Sequence, residues 1–97
     1  MGRLAWTSES ERWLRDIFVY ISRDNPDAAR DVVRGIYEKA QMLRDFPEAG
    51  YRYEASSRHV RILLYGHYRI AYLVRDNGDV DVLGVFHGAL EIERYAR

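Results

Sequence analysis

The first half of the chain carries two apolar stripes at helical spacing. The first stripe comprises Trp13, Leu14, Ile17, Phe18 and Ile21, and the second comprises Ala29, Val32, Val33, Ile36, Tyr37, Ala40 and Leu43. Ser8 followed by Glu11 has the spacing of a capping box, which predicts a helix start there. Asn25-Pro26 is typical of the start of a second helix, which ends before Pro47. The pattern predicts an αα-hairpin with facing apolar stripes.

In the second half the apolar period changes from 3.6 to 2. The segment from Phe46 to Ser57, with Pro47 and Gly50, is predicted to be a loop. Three strands rich in β-branched and aromatic residues follow, Val60–Leu64, Tyr68–Arg75 and Val80–His87. Asn77-Gly78 is a strong hairpin signal, and Gly66 marks the other turn.

Two further segments complete the predicted fold. Leu4–Trp6 is predicted as a short strand, and Gly88–Arg97 as a short helical tail. We therefore expect one α+β domain over residues 1–97. An N-terminal strand precedes an αα-hairpin packed on an antiparallel β-meander, and a C-terminal helix ends the chain.

The register of the meander decides which way its arginines point. A two-residue Asn77-Gly78 loop pairs Val74 with Asp81, Ile70 with Val85 and Tyr68 with His87. We expect this apolar face of the meander, with Tyr68 and Val85, to pack against the two helices. For the first hairpin we predict a three-residue loop, Tyr65-Gly66-His67. A two-residue loop would turn Arg61 and His59 into the core, where an unpaired charge costs several kcal/mol. The predicted outer face then carries His59, Arg61, Leu63, Arg69 and Arg75.

Charge and composition narrow the class of protein. The 97 residues carry 15 basic and 15 acidic side chains, so bulk charge alone does not attach the chain to nucleic acid. The segment from Gly50 to Arg75, however, contains five arginines and a single acidic residue, Glu54. This local excess of positive charge favours an anionic or carboxylate-bearing partner. Cysteine is absent, and no apolar run reaches the ~20 residues of a membrane span. We expect a cytoplasmic protein without metal or cofactor.

Four sequence segments resemble the RelE/ParE superfamily of toxins from type II toxin–antitoxin modules. They are Asp24–Ala29 at the helical turn, Leu43–Gly50, the strand Tyr68–Val74, and Val82–Ala89 with its final His87-Gly88-Ala89. The helical turn and the last three residues look most like the ParE branch, also known as plasmid-stabilisation proteins. The resemblance implies a β-α-α-β-β-β-α fold, neutralisation by a cognate antitoxin of ribbon-helix-helix type, and DNA gyrase as the target.

The distribution of basic and apolar residues suggests where these partners bind. We expect the target on the basic face, through Arg58, Arg61, Arg69 and Arg75. We expect the antitoxin's C-terminal segment on the apolar surface of the αα-hairpin and its junction with the sheet, where Phe18 and Tyr20 are candidate contacts. A chain that keeps the antitoxin site but has lost its toxicity is a third, weaker possibility.

The RelE branch of the superfamily offers an enzymatic alternative. Its members cleave ribosome-bound mRNA, which needs a base, cations around the developing phosphorane charge, and an acid. On that hypothesis the catalytic residues are Arg61, Arg69, His87 and Tyr95, with His59 beside them. Both lysines of that branch are missing here, and Gly88-Ala89 stand where it has basic residues. The sequence thus favours a non-enzymatic toxin.

Overall fold

The computed structural model describes residues 2–88. These residues form two helices and five strands. In chain order they are β1 (Leu4–Trp6), α1 (Ser8–Ser22), α2 (Pro26–Gln41), a 3₁₀ turn (Met42–Arg44), β2 (Tyr51–Arg52), β3 (Val60–Tyr65), β4 (Tyr68–Val74) and β5 (Val80–His87).

Side-chain caps set both helix starts. The Thr7 hydroxyl oxygen accepts a 3.1 Å hydrogen bond from the Ser10 amide, so the N-cap of α1 is one residue before the predicted Ser8. The Asn25 side chain accepts from the Ala28 amide at 3.1 Å, as expected, and Pro26 is the first residue of α2. Each cap pairs an amide that has no partner within its helix.

The sheet has the strand order β1-β5-β4-β3-β2. The predicted αα-hairpin on an antiparallel meander is confirmed, and β1 adds a parallel edge strand beside β5. The predicted loop from Phe46 to Ser57 contains one further strand, because Tyr51 pairs with Ile62 and Arg52 with Arg61. Two residues are too few for a periodic signal, so the sequence pattern did not reveal β2.

The main core lies between the helices and one face of the sheet. Its buried members are Leu14, Ile36, Leu43, Leu63, Ile70, Tyr72, Val80, Val82 and Val85. On the opposite face, here called the outer face, Ile62, Ala71 and Phe86 form a second buried cluster. Trp13 contacts both clusters, and its ring meets that of Phe86 edge-on at 4.8 Å between centroids.

The predicted register of the first hairpin is wrong. Tyr65 pairs with Tyr68 and Leu63 with Ile70, so the loop has two residues, Gly66 and His67. Gly66 has a φ of 57°, which a glycine adopts without steric cost. The one-residue change moves every side chain of β3 to the other face. Leu63 therefore enters the main core, and Arg61 lies on the helix-bearing face opposite Tyr72.

The second hairpin combines a correct and an incorrect prediction. Tyr68 pairs with His87 and Ile70 with Val85, as expected. Near the turn, however, Val74 pairs with Val80, because the loop has three residues, 76–78, closed by the bond from the Arg75 amide to the Asp79 carbonyl. A bulge restores the predicted register: Leu83 is the extra residue between the pairs of Val82 and Gly84.

Two expectations concern the ends of the chain and its relation to membranes. The predicted C-terminal helix, Gly88–Arg97, lies outside the described residues except for Gly88, and Tyr95 lies outside them too. Within residues 2–88, no helix is long and apolar enough to cross a bilayer.

Candidate functional site

The structure does not unite the predicted basic face. Arg61 lies on the helix-bearing face, whereas Arg69, paired with Leu64, lies on the outer face. The prediction that these two arginines lie side by side on the outer face is therefore wrong. Its basis was the three-residue loop, and the two-residue loop at Gly66 reverses β3.

Arg61 is engaged within the protein. Its guanidinium group donates to the Gly50 carbonyl at 2.6 Å and to the Glu48 carbonyl at 3.3 Å, and it lies 3.4 Å from the Glu48 carboxylate. Only 18 % of its side chain is exposed. A buried charge is tolerated when it is hydrogen-bonded, and the loop before β2 supplies these partners. Arg61 thus supports the loop and has little surface to offer a target.

The other three arginines differ in their surroundings. Arg69 receives support from Tyr51, whose hydroxyl oxygen accepts its 2.9 Å hydrogen bond. Arg75 donates a 2.7 Å hydrogen bond to the Asp81 carboxylate, and this bond raises the pKa of Arg75. Arg58 is exposed in the loop before β3. Arg75 is exposed, but its charge is paired with a carboxylate, whereas the partner of the half-buried Arg69 is an uncharged hydroxyl group. Arg58 and Arg69 are therefore the predicted target-binding residues whose charge no described carboxylate pairs.

The residues of the enzymatic alternative are dispersed. Arg61 and Arg69 lie on opposite faces of the sheet, so one phosphate group cannot contact both. His87 ends β5 near Tyr68 and His67, with ring centroids 5.3 and 6.1 Å apart. The described part of the chain also contains no cluster of histidine and acidic residues that could hold a metal ion.

A groove lies between α1 and the sheet, at the end where β4 begins and β5 ends. Its volume is about 400 Å³, and its lining is mostly apolar and aromatic: Trp13, Asp16, Ile17, Tyr20, Tyr68, Val85 and His87. Among the described residues of this lining, Asp16 is the one acidic group. We call it the α1–sheet groove. An apolar cleft with a few polar groups is a common form of binding site.

The two tyrosines of the α1–sheet groove differ in burial. Burial raises the pKa of Tyr68, with a smaller contribution from nearby Tyr20, because an apolar surrounding disfavours the phenolate. Tyr20 is 73 % exposed and lines the groove, and its contact with an antitoxin stays a prediction. Phe18, the other predicted contact, is half-buried and does not line the groove.

Comparison with known proteins identifies the family. Residues 4–91 match the sequence model of the ParE toxin of type II toxin–antitoxin systems. The chain belongs to the ParE toxin family. The resemblance inferred from four sequence segments is thereby confirmed.

Two relatives support this assignment. The Sinorhizobium fredii protein Y4kP, named as a candidate toxin, is 35 % identical to this ParE toxin over 85 residues, which are 88 % of the chain and 86 % of Y4kP. A solved structure of the chromosomal ParDE system from P. aeruginosa superposes with a TM-score of 0.76, covering 92 % of this chain and 98 % of that one. At 21 % identity, the second comparison shows the ParE fold.

Sequence reasoning missed most of the groove and the loop that Arg61 supports. Tyr68 and Val85 were expected on the helix-bearing face, but a periodic pattern does not show where a helix leaves such a face uncovered. One signal was present in the loop. Phe46 is an aromatic residue outside any periodic element, next to Pro47, and such a residue has no predicted core position.

Proposed function

We propose that this ParE toxin inhibits DNA gyrase and is neutralised by a cognate antitoxin of ribbon-helix-helix type. The observation that carries the proposal is the family match over nearly the whole described chain. The toxin acts by binding in this proposal, since the arginines of the enzymatic alternative lie on opposite faces of the sheet.

The antitoxin site is the α1–sheet groove. Its apolar lining and the exposed Tyr20 ring provide the desolvated contacts that dominate binding energy in interfaces. Asp16 adds a charge at the rim, which favours a basic side chain beside the apolar anchors of the antitoxin. Arg58 and Arg69 are proposed as contacts of the gyrase surface.

Gyrase inhibition can be tested with purified components. Relaxed plasmid, gyrase and ATP are incubated with increasing amounts of the folded toxin, and topoisomers are separated on an agarose gel. We expect supercoiling to stop at micromolar toxin and to recover when the antitoxin is added first. Uninhibited supercoiling at that concentration, with folding verified by circular dichroism, would exclude gyrase as the target.

The groove can be tested with Tyr20→Ser. The binding partner is the product of the reading frame adjoining the toxin gene, and the measurement is calorimetric titration. We expect affinity to fall at least about tenfold, because an aromatic contact at the rim is lost. Val19→Ser is the matched control, since Val19 is also exposed on α1 but does not line the groove. Equal affinities for both variants would place the antitoxin elsewhere.

A further inference from the structure

The turn between α2 and β2 is fixed from beneath by two side chains of the sheet. The Tyr72 hydroxyl donates to the Pro47 carbonyl at 2.8 Å and accepts from the Gly50 amide at 2.9 Å. Arg61 donates to the Gly50 carbonyl at 2.6 Å. A Cβ atom at Gly50 would lie 2.5 Å from the Ile62 carbonyl oxygen, so the turn lies too close to β3 for a side chain at this position. We call Asp45–Gly50 the clamped turn.

The clamped turn presents one large aromatic ring. Phe46 is 63 % exposed, although its backbone is held on both sides. Its amide donates to the Met42 carbonyl at 2.9 Å, and its carbonyl accepts from the Ala49 amide at 3.1 Å. An exposed aromatic ring on an ordered backbone loses little conformational entropy when it enters a partner's pocket. Aromatic residues, phenylalanine among them, are enriched in protein interfaces relative to the rest of the surface.

The surroundings of Phe46 indicate the chemistry of its partner. A shallow concavity of about 440 Å³ adjoins the ring, lined by Met42, Asp45, Phe46, Pro47, Glu48 and Ala49. The charged groups in this lining, Asp45 and Glu48, are both acidic and exposed. A complementary surface has an apolar pocket for the ring and a lysine or arginine at its edge. Phosphate-bearing nucleic acid does not fit this description, because its charge is negative.

The clamped turn and the α1–sheet groove are separate surfaces. Within residues 2–88, they share no lining residue. Tyr68 lines the groove, whereas Tyr72, four residues further along β4, holds the turn. At about 3.3 Å per residue, these two positions are roughly 13 Å apart along the strand. A partner in the groove and a partner on the turn therefore contact different residues.

We propose that Phe46 is the anchor residue through which this toxin binds its protein target, by inserting its ring into an apolar pocket on that target. Asp45 and Glu48 then face basic residues at the rim of the pocket. This inference rests on the proposed function in so far as the target is a protein. The antitoxin occupies the α1–sheet groove and does not require Phe46. Arg61 and Tyr72 act as positioning residues, because they hold the turn that carries the ring.

The test uses two substitutions of the exposed ring in the full chain. Phe46→Ser removes the apolar anchor, and Phe46→Leu keeps an apolar side chain. Growth arrest after induction and inhibition of purified gyrase report on the target, and titration with the product of the adjoining reading frame reports on the antitoxin. We expect Phe46→Ser to abolish growth arrest. At least about tenfold more of this variant should be needed for half-inhibition of gyrase. The concentration of Phe46→Leu needed for half-inhibition should stay within about threefold of that of the unaltered chain.

Antitoxin affinity should stay within about twofold for both variants, and urea unfolding verifies that each one folds. The acidic rim is tested with Asp45→Asn, which should weaken inhibition and make it less sensitive to salt. Glu48 is left unchanged, because its carboxylate is a partner of Arg61. A Phe46→Ser chain that arrests growth and inhibits gyrase as strongly as the unaltered chain overturns the inference. So does loss of antitoxin binding with arrest retained, which would assign the turn to the antitoxin.

Failure of the gyrase proposal gives a different result. The unaltered chain could arrest growth without affecting gyrase while Phe46→Ser does not arrest growth. That result would support Phe46 as the anchor and exclude gyrase as the target. If gyrase is inhibited equally by both chains, the proposed function stands and the anchor is excluded. An unaltered chain that neither arrests growth nor inhibits gyrase overturns both.

Discussion

Arg61 reaches from β3 to the preceding loop and donates a 2.6 Å hydrogen bond to the carbonyl oxygen of Gly50. This contact explains how a mostly buried guanidinium group is accommodated on the helix-bearing face. The Glu48 carbonyl and carboxylate supply further partners, and among the described side chains only the Arg61 Nε atom is buried without a partner. The loop therefore covers the sheet beside the helices and satisfies a charge there.

Arg61→Met tests this role while keeping the volume of the side chain. We expect the free energy of unfolding to fall by about 1–3 kcal/mol, because the buried Gly50 carbonyl loses its charged donor. For a chain of this size each kcal/mol lowers the melting temperature by roughly 4–8 °C, which calorimetry detects. The control is Arg58→Met, an exposed arginine, which should change stability by less than about 0.5 kcal/mol. Equal effects at the two positions would contradict the role of Arg61.

Tyr72→Phe removes one oxygen atom and two hydrogen bonds. The Pro47 carbonyl and the Gly50 amide both lose their partner, while the ring remains in the core. We expect a loss of about 1–3 kcal/mol in urea unfolding, since unpaired buried groups carry their full desolvation penalty. Tyr51→Phe provides the comparison, because its hydroxyl accepts a single exposed hydrogen bond from Arg69. If both variants unfold at the same urea concentration, the Tyr72 hydroxyl does not hold the turn.

Gly50→Ala tests the close approach of the turn to β3. The added Cβ would lie 2.5 Å from the Ile62 carbonyl oxygen and 2.8 Å from the Tyr72 hydroxyl oxygen, so the turn must move away from the sheet. We expect a loss of about 1–3 kcal/mol, as in other overpacked sites. The same measurement on Ala49→Ser, at the exposed neighbouring position, should show almost no change. An unaltered melting temperature for Gly50→Ala would show that the turn is not clamped.

The two helices, and the pairing of the second hairpin at the end away from its turn, can be predicted from residues that are close in sequence. The stripe on α2, the Asn25 cap and the Tyr68–His87 pairing depend on residues that are close in sequence or joined by one turn. The register of the first hairpin does not. The sequence pattern offers a buried Arg61 no partner, because its partners lie 11 and 13 residues earlier, in a loop without periodicity.

Contacts between residues that are distant in sequence also limit prediction of the candidate site. The groove depends on where α1 stops covering β4 and β5, and β2 depends on two residues that pair with β3. The burial of a charged strand residue such as Arg61 thus depends on the backbone carbonyls of an adjacent loop. Composition does not reveal these partners, since they depend on how the loop folds back onto the sheet.

Alkaline pH provides a last test of the core. Burial raises the pKa of Tyr72 from its ordinary value of 10.0, and burial is also the main cause of the raised pKa of Tyr37 and Tyr68. The unfolded chain therefore releases these protons first. Their contribution to stability is complete below pH 10 and is lost as the pH rises through the folded-state values.

We expect the free energy of unfolding in urea to be flat near pH 9 and to fall above pH 10. Each shifted tyrosine contributes a slope of at most about 1.4 kcal/mol per pH unit. Tyr72→Phe lowers stability at every pH but should make the alkaline slope shallower, since the substituted ring cannot ionise. Because slopes are compared, the lost hydrogen bonds do not affect the result. Identical slopes for the two chains would show that Tyr72 titrates alike in the folded and unfolded states.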